Sequence, residues 1–420
     1  MSVTSGGERM RSAVDISSAA FWARPFEVRD DSFARLRRTG TLTWHSPMEM
    51  PGVDTSAGTG FWAATSIKDI SAISKKHDVF RSEPGVNLAP TPAEITAASA
   101  FFLAMDPPRH TIYRRIVAAA FTAKAISRLA DQIATRARVI VSDLAGAGDV
   151  DFVTRCSALL PMQTVCDIIG VPPSEQEQVR QAADEFIGGF DPAVLPAGVT
   201  PLEFILDRAH YLHGIGAELA AHRRRQPADD LMTNLVQATV DGQRLTDAEI
   251  GAFLVLMSVA GNDTTKQTTS WAMLALDRNP DQRAWLAADV EGRIATAVEE
   301  FVRYATPVLS FARTADADME YEGVPIAAGD KVGLFYCSGN RDESVFEDPQ
   351  CFELRRQRAP HVGFGGGGIH YCLGAGIARM QLRCIFEEIL AQLRTVEVGE
   401  PELLASSFIR GIRRLPVRVR

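Results

Sequence analysis

The chain has 420 residues, of which 46% are hydrophobic and 23% are charged, and its formal net charge is −8. This balance is typical of an ordinary globular protein. It lacks the clustered basic excess that marks nucleic-acid-binding proteins, so no nucleic-acid partner is predicted.

The cysteines and the N-terminus bear on the compartment and on domain organisation. The six cysteines are scattered and include no Cys-x-x-Cys pair, which argues against a disulfide scaffold. Residues 1–20 lack the apolar segment of a signal peptide, and no stretch reaches the about 18 apolar residues of a membrane span. We therefore expect a cytoplasmic protein without a membrane anchor. With no linker or repeat in view, we expect a flexible N-terminus over residues 1–25 and one domain over residues 26–420.

The N-terminal half is predicted to be mainly helical. A helix at 30–38 precedes two strands, and a proline-containing stretch at 82–100 is predicted to be a long loop of the kind that often binds ligands. Apolar residues then recur at helical spacing. The predicted helical stretches are 109–144, 152–169, 175–190 and 201–226, the strands are 42–44 and 61–65, and a possible hinge lies at 188–200.

The longest predicted helix spans residues 247–278. Thr246 is a good N-cap, Asp247 and Glu249 suit the first turn, and Pro280 follows the end. About 30 residues at 1.5 Å each would cross a whole domain. The remaining predicted helices are 281–288, 293–304 and 373–392, and the remaining strands are 312–321, 331–335 and 416–419.

A glycine tract next to a single cysteine is the strongest chemical signal. The segment reads Phe364-Gly-Gly-Gly-Gly-Ile-His370-Tyr-Cys372-Leu-Gly374 and leads into a predicted helix. Glycines let the backbone fold tightly against a flat ligand, and the helix N-terminus favours a thiolate over a thiol. On the residues alone, a glycine-rich turn beside an ordinary buried cysteine remains open. A phosphate loop would need a following Gly-Lys-Ser/Thr, and a zinc site would need further ligands.

Three further patterns carry polar residues that need an explanation. A polar cluster, Gly261-Asn-Asp263-Thr264-Thr, interrupts the apolar run of the long helix, although Thr264 could simply bond back to its own helix. Glu300 and Arg303 share a helix face, as many surface pairs do. His110 and Arg114 lie four apart after Asp106-Pro-Pro, and two solvated side chains would look the same.

Together these segments resemble the cytochrome P450 family. The glycine tract is similar to its haem-binding loop, Phe-Gly-x-Gly-x-His-x-Cys-x-Gly, with Phe364 one residue further from the cysteine than usual. The other segments match the family patterns Ala/Gly-Gly-x-Asp/Glu-Thr, Glu-x-x-Arg and Asp-Pro-Pro-x-His-x-x-x-Arg. The resemblance runs from about residue 21 to residue 416. It implies a mainly α fold with small β portions, a triangular helical prism holding haem b between the long central helix and the helix after the cysteine.

The resemblance also implies roles for individual residues. Cys372 would bind the haem iron, and Thr264 would hydrogen-bond dioxygen there while Asp263 helps deliver protons. Glu300 and Arg303 would form a buried structural pair, but Cys351 stands where the family often has a further arginine. The other implied haem contacts, several of them charge-assisted bonds to the propionates, are His110, Arg114, Arg313, Phe364, Gly366, His370 and Gly374.

The implied activity is an O₂-dependent monooxygenation. The resemblance is to the soluble bacterial type, a monomer that takes electrons from NAD(P)H through a ferredoxin reductase and a ferredoxin. Stretches at 49–52, 259–265, 362–368 and 407–412 look like the mycobacterial-type enzymes that hydroxylate the terminal carbon of methyl-branched lipids, isoprenoids and sterol side chains. Such a site must hold the chain end-on above the iron.

The candidate pocket walls are apolar residues from five separate segments. Any one of them could equally be plain core. They are Val86, Leu88, Phe101, Leu103, Phe186, Ile187, Phe190, Val259, Ala260, Val308, Leu309, Phe311, Phe408 and Ile409.

Other functions remain open at this point. A P450 could act on another hydrophobic metabolite or use hydrogen peroxide directly, although Asp263 and Thr264 argue against a peroxygenase. A haem-thiolate sensor or electron carrier would bind the cofactor without turnover. A helical binding protein for apolar ligands would hold no haem at all.

Overall fold

A computed structural model describes residues 9–50, 55, 58–99, 101–240, 242–356, 360–393 and 395–420, and helices dominate it. Short 3₁₀ turns at Phe101–Ala104 and Ala119–Phe121 and a π turn at Val153–Ser157 connect some of them. The helices are α1 (Ala19–Trp22), α2 (Phe26–Arg37), α3 (Ile67–Lys75), α4 (Ala93–Ser99), α5 (Arg109–Ala118), α6 (Ala123–Ser142), α7 (Leu159–Ile169), α8 (Gln176–Gly188), α9 (Pro201–Arg225), α10 (Leu231–Gln237), α11 (Asp247–Arg278), α12 (Pro280–Ala287), α13 (Val290–Ala305), α14 (Tyr336–Gly339) and α15 (Ala375–Gln392).

The strands form small sheets at the edges of the helical body. The largest sheet has the order β1-β2-β10-β7-β3, in which only the β2–β10 pair is parallel, and a second sheet has the order β11-β14-β4. The strands are β1 (Thr43–His45), β2 (Phe61–Ala64), β3 (Phe80–Arg81), β4 (Gly148–Asp151), β5 (Thr239–Val240), β6 (Gln243–Arg244), β7 (Phe311–Ala315), β8 (Met319–Tyr321), β9 (Val324–Ile326), β10 (Lys331–Leu334), β11 (Val396–Val398), β12 (Glu402–Leu403), β13 (Ile412–Arg414) and β14 (Pro416–Val419).

Helix α11 is the centre of the molecule. Thr246 and Glu249 form a reciprocal capping box at its start, and the helix runs to the predicted end at Arg278. Most of its residues are buried on all sides, as expected for a helix that other helices surround. It packs against α7, α8, α9 and α13. Within the described residues, no helix is both long and apolar enough to cross a membrane.

The described part of the N-terminal segment makes packing contacts. We predicted flexibility over residues 1–25, but Phe21 and Trp22 are buried in a cluster with Phe33 and Phe335. The Ser12 backbone N–H also donates to the Trp44 carbonyl at 2.8 Å. Part of this segment thus packs against neighbouring elements, and the flexibility of residues 1–25 stays a prediction; residues 1–8 lie outside the described part.

Three other predicted segments differ from the elements in the structure, because the sequence carries only weak start and end signals there. The predicted loop 82–100 contains helix α4, and its last residue is outside the described part. The predicted helical stretch 109–144 divides into α5 and α6, because Thr122 adopts an extended conformation and caps α6 by accepting from the Ala125 N–H. The predicted strand 312–321 divides into β7 and β8.

Candidate haem site

The glycine tract lies against the C-terminal part of α3. The Cys372 N–H donates to the Phe364 carbonyl at 3.0 Å and closes the loop. Gly365, Gly367 and Gly368 have φ values of 98°, 94° and 74°, which glycine adopts without strain. A Cβ at Gly366 would lie 2.4 Å from Ser74 Oγ, so this glycine is needed for close packing.

The Cys372 side chain faces an internal space at the N-terminus of α15. The residue is exposed, yet burial raises the pKa of its thiol, as expected where protein surrounds an open space. The backbone N–H groups of Gly374 and Ala375 lower the thiol pKa and oppose that shift, as does the charge of Arg114. Donors of this kind tune a metal-bound thiolate, so the position suits an iron ligand.

Four predicted propionate-binding residues come together beside the cysteine loop. The His110 and His370 rings are 4.3 Å apart, and His370 Nε2 lies 3.1 Å from Ser82 Oγ. Burial and the charges of neighbouring arginines lower the pKa of His110 to about 4 and that of His370 to about 2. Arg313 is buried in the same cluster, while Arg114 donates to the Tyr371 carbonyl at 2.5 Å.

Several polar atoms of this cluster have no hydrogen-bond partner among the described residues. Both ring nitrogens of His110 and Nδ1 of His370 are buried without a hydrogen-bond partner among the described residues. Among the described residues, the Arg313 guanidinium donates only to the neighbouring Ala312 carbonyl, at 2.8 Å. Buried donors are normally paired, so the cluster fits the two carboxylates of a haem. A Cβ on Gly374 would meet nothing within 4 Å, which leaves room for the macrocycle beside the cysteine.

Sequence reasoning missed one member of this cluster. His77 follows α3, its Nδ1 is buried without a partner among the described residues, and its charge would act on both His110 and His370. In the sequence it stands in the polar run Lys75-Lys76-His77-Asp78, which looks like a solvated turn. Only the three-dimensional arrangement brings it to the site.

One face of helix α11 is open. Ala260 is exposed and Thr264 is partly exposed, although their helical neighbours are mostly buried. Positions four apart share a helix face, so Leu256, Ala260 and Thr264 form one stripe. The Thr264 hydroxyl donates to the Ala260 carbonyl at 2.8 Å. Gly261 faces α7 instead, because a Cβ there would lie 2.5 Å from the Val165 side chain.

The Asp263 carboxylate is paired away from Thr264. Its Oδ1 lies 2.6 Å from Nζ of Lys266, and the same ammonium lies 2.7 Å from Asp184 of α8. Asp263 Oδ2 is buried and has no partner among the described residues. Among the described residues, no hydrogen bond joins the Asp263 carboxylate to the Thr264 hydroxyl.

Glu300 and Arg303 form a buried, bidentate ion pair. The two N–O distances are 2.6 and 2.7 Å. Arg303 also donates to the carbonyls of Asn340, Pro349 and Cys351 at 2.7–2.9 Å. The arginine that Cys351 replaces comes from elsewhere, because Arg356 Nε lies 3.5 Å from Glu300 Oε2.

Asn340 links the Glu300–Arg303 pair to the cysteine loop. Its side-chain oxygen accepts from the Val362 N–H at 2.7 Å, two residues before Phe364. Its side-chain nitrogen donates to the Thr306 hydroxyl at 2.8 Å. The loop is therefore held from outside as well as by its own glycines.

A largely apolar cavity of about 250 Å³ lies beside the α11 face. Helix α11 contributes Val255, Leu256 and Val259 to its wall, and α8 contributes Phe186 and Ile187. The other predicted pocket residues on the wall are Val86, Leu88, Leu103, Phe190, Phe311 and Phe408.

Several other predicted pocket residues do not line this cavity. Phe101 packs edge-to-face on Phe253 in the core at 5.2 Å, and Leu309 is fully buried. Val308 pairs through its backbone with Ile409. Ala260 lies on the open α11 face instead. Core and pocket positions carry the same residue types, so the sequence cannot separate them.

Comparison with known proteins identifies the chain's relatives. Residues 207–408 match the sequence model of the family described as Cytochrome P450. A methyl-branched lipid omega-hydroxylase from Mycobacterium tuberculosis is 39% identical over 96% of this chain and 94% of its own length. A steroid C26-monooxygenase from Mycolicibacterium smegmatis is 37% identical, over 91% of this chain and 88% of that protein.

A solved structure supports the same assignment. A Mycobacterium marinum cytochrome P450 in complex with pseudoionone is 48% identical to this chain, with a TM-score of 0.94. The match covers 97% of this chain and 99% of the other. The predicted fold class is thereby confirmed, as is haem as the cofactor. The chain belongs to the cytochrome P450 family and is a haem-thiolate monooxygenase.

Proposed function

We propose that this monooxygenase hydroxylates the terminal carbon of a methyl-branched lipid, an isoprenoid or a sterol side chain. The observation that carries the proposal is the apolar cavity, whose α11 wall at Leu256 continues along one helix face to Ala260 and Thr264. A lipid in the cavity can therefore present its apolar end at the haem side. The names of the mycobacterial relatives support this substrate class.

The chain's own residues would hold and tune the cofactor. When bound, haem supplies the iron at which dioxygen is activated for insertion of one oxygen atom into a C–H bond. We propose that the Cys372 sulfur is the iron ligand, with the Gly374 and Ala375 N–H groups stabilising its negative charge. Phe364, Gly366 and Gly374 would shape the loop around it. His110, Arg114, Arg313 and His370, joined by His77, would bind the carboxylates, and the Glu300–Arg303 pair would support the loop.

Thr264 is the proposed proton-holding group on the α11 face. Its hydroxyl proton bonds to the Ala260 carbonyl, and rotation about χ1 would turn it toward the space in which dioxygen must lie. Asp263 would act through Oδ2, the carboxylate oxygen that Lys266 leaves without a partner. The two groups therefore need a water or a side-chain rotation between them.

A P450 monooxygenase needs a redox partner to deliver electrons, and we propose that a ferredoxin with an NAD(P)H-dependent ferredoxin reductase does so. The single domain, the monomeric state and the cytoplasmic location stay predictions from the sequence.

A panel of lipids tests the proposed function. The purified haem protein is titrated with branched fatty acids, isoprenoids and sterols, and binding is followed by the spin-state change of the haem. Products are then analysed with a surrogate redox pair. We expect terminal alcohols from at least one branched lipid. Binding without any terminally oxidised product would refute the proposal.

A variant pair ties the activity to the cavity. Val259→Trp should fill the α11 end, abolish the spin-state change and terminal product, and leave the thiolate spectrum intact, because Val259 lines the cavity. Val139→Trp, at an exposed position on α6, is the matched control and should behave as the unmodified protein.

A further inference from the structure

An ammonium group lies on the wall of the apolar cavity. Lys331 is the first residue of β10 and one of the cavity-lining residues. Its Nζ donates to the carbonyls of Asn87 and Leu88, at 2.9 and 3.4 Å. An ammonium has three N–H donors, so one remains for another acceptor.

The charge of Lys331 has no counter-ion in the described part of the chain. No carboxylate oxygen of the described residues lies within 4.0 Å of Nζ. Burial lowers the pKa of Lys331 from its ordinary value, and no acidic group offsets this shift. A partly buried cation is costly unless it is paired.

The other charged residue of the cavity wall is different. Asp191 lies 3.8 Å from Arg413 and accepts from the Ala193 N–H at 2.9 Å. The charge of Asp191 therefore has a counter-ion within the protein. Among the described lining residues, Lys331 alone carries a charge without an opposite one.

Polar groups surround Lys331 on its side of the cavity. The Asn87 side chain donates to the Thr91 hydroxyl at 3.0 Å, and both residues line the cavity with Lys331. The α11 wall, in contrast, consists of Val255, Leu256 and Val259. The cavity wall thus carries a cation at Lys331 and polar groups at Asn87 and Thr91, whereas its α11 wall is apolar.

We propose that Lys331 binds the carboxylate of the lipid substrate, so that the preferred substrates are methyl-branched fatty acids rather than neutral isoprenoids or sterols. The inference rests on the proposed terminal hydroxylation and defines the opposite end of the same molecule. An ammonium–carboxylate bond inside the cavity neutralises both charges and leaves the apolar chain to extend toward α11. It would also fix how far the chain reaches, which decides the carbon presented at the haem.

Matched ligands separate charge recognition from shape. The probes are 3,7,11,15-tetramethylhexadecanoic acid and its methyl ester, titrated into the haem protein by isothermal calorimetry and by spin-state change. Lys331→Met should weaken binding of the acid by about 10- to 100-fold, the range of a hydrogen bond to a charged group, and leave the ester unchanged. Lys331→Arg should keep most of the acid affinity. Lys68→Met, which removes an exposed lysine paired with Glu322, is the control and should not alter either ligand.

The outcomes distinguish the inference from the proposed function. Equal losses for acid and ester in Lys331→Met would mean that Lys331 only supports residues 87–88, and would overturn the inference. Equal affinity of the unmodified protein for acid and ester would overturn it too. In either case terminal alcohols from the ester would leave the proposed function standing. Charge-dependent binding of the acid without terminal oxidation would refute the proposed function while supporting carboxylate recognition. Circular dichroism and the carbonyl spectrum establish that each variant is folded and loaded with haem.

Discussion

Replacing Lys266 with methionine should destabilise the protein by leaving a buried carboxylate without its partner. The ammonium of Lys266 lies 2.6 Å from Asp263 and 2.7 Å from Asp184. In this variant Asp184 keeps two partners, Arg180 at 2.7 Å and the Asn262 amide at 3.0 Å, so it loses only part of its stabilisation. Asp263 is almost fully buried and retains only a long contact of 3.5 Å with the Gln267 side chain.

The size of the expected destabilisation follows from the unpaired Asp263 carboxylate. Removing one partner of a buried pair costs about 3–5 kcal/mol. Unfolding entropy of about 2.1 cal/mol/K per residue gives about 0.9 kcal/mol/K for a chain of this length. We therefore expect the melting midpoint of the haem protein to fall by about 3–6 °C in Lys266→Met, measured by differential scanning calorimetry at a fixed scan rate.

Two comparisons make this prediction falsifiable. The double variant Lys266→Met with Asp263→Asn should recover most of the loss, because the neutral amide is cheaper to bury than an unpaired carboxylate. Lys68→Met, in an exposed pair with Glu322, should leave the midpoint unchanged. A Lys266→Met midpoint equal to that of the unmodified protein, or a double variant no better than the single one, would refute the reasoning.

The difference in melting midpoint between the unmodified protein and Lys266→Met should depend on pH in a direction set by the Lys266 pKa. Burial alone would lower the pKa of Lys266, but the carboxylates of Asp263 and Asp184 outweigh it and raise the pKa above its ordinary value. The stabilisation is fully present below the unfolded pKa of about 10.4 and is lost only as pH rises through the higher folded value. The difference in midpoint should therefore be the same at about pH 7 and about pH 9.

Three further substitutions probe the candidate site directly. Cys372→Ala should abolish the red-shifted Soret band of the ferrous carbonyl complex, and its persistence would exclude this sulfur as the ligand. Thr264→Ala should lower product per NAD(P)H and raise peroxide release, whereas unchanged coupling would remove Thr264 from proton delivery. Gly366→Ala would place a Cβ 2.4 Å from Ser74 Oγ and 2.7 Å from the Ile70 carbonyl. It should cost about 1–3 kcal/mol and reduce haem retention during gel filtration, whereas Gly214→Ala on α9, where a Cβ would meet nothing within 4 Å, is the control and should keep the haem.

The sequence was most informative where local chemistry determines structure. The capping box of Thr246 and Glu249 and the following Pro280 define both ends of α11, so its predicted bounds match the structure. The tight loop at the glycine tract could be predicted as well, because glycine is the residue that adopts three positive φ values beside α3 without strain. Helix α4 was missed because prolines precede it and its seven residues carry little periodicity.

Side-chain direction could not be read from the sequence. Asp263 and Thr264 are adjacent in a helix and point about 100° apart, so one can face the haem side while the other meets Lys266. Phe101 and Leu309 are of the residue types that line apolar pockets, but they lie in the core. The charge of Lys331 on the cavity wall depends on the register of β10 against β7, which is a long-range pairing.

The contacts of Arg303 have a consequence for how this region can vary. Its guanidinium recognises main-chain oxygens at Asn340, Pro349 and Cys351, and a main-chain oxygen is the same whichever side chain the residue carries. Position 351 can therefore exchange an arginine for a cysteine without loosening the anchor, provided that a cation such as Arg356 still approaches Glu300. The backbone path of the segment that precedes the cysteine loop is thus constrained, whereas its side chains are free to vary.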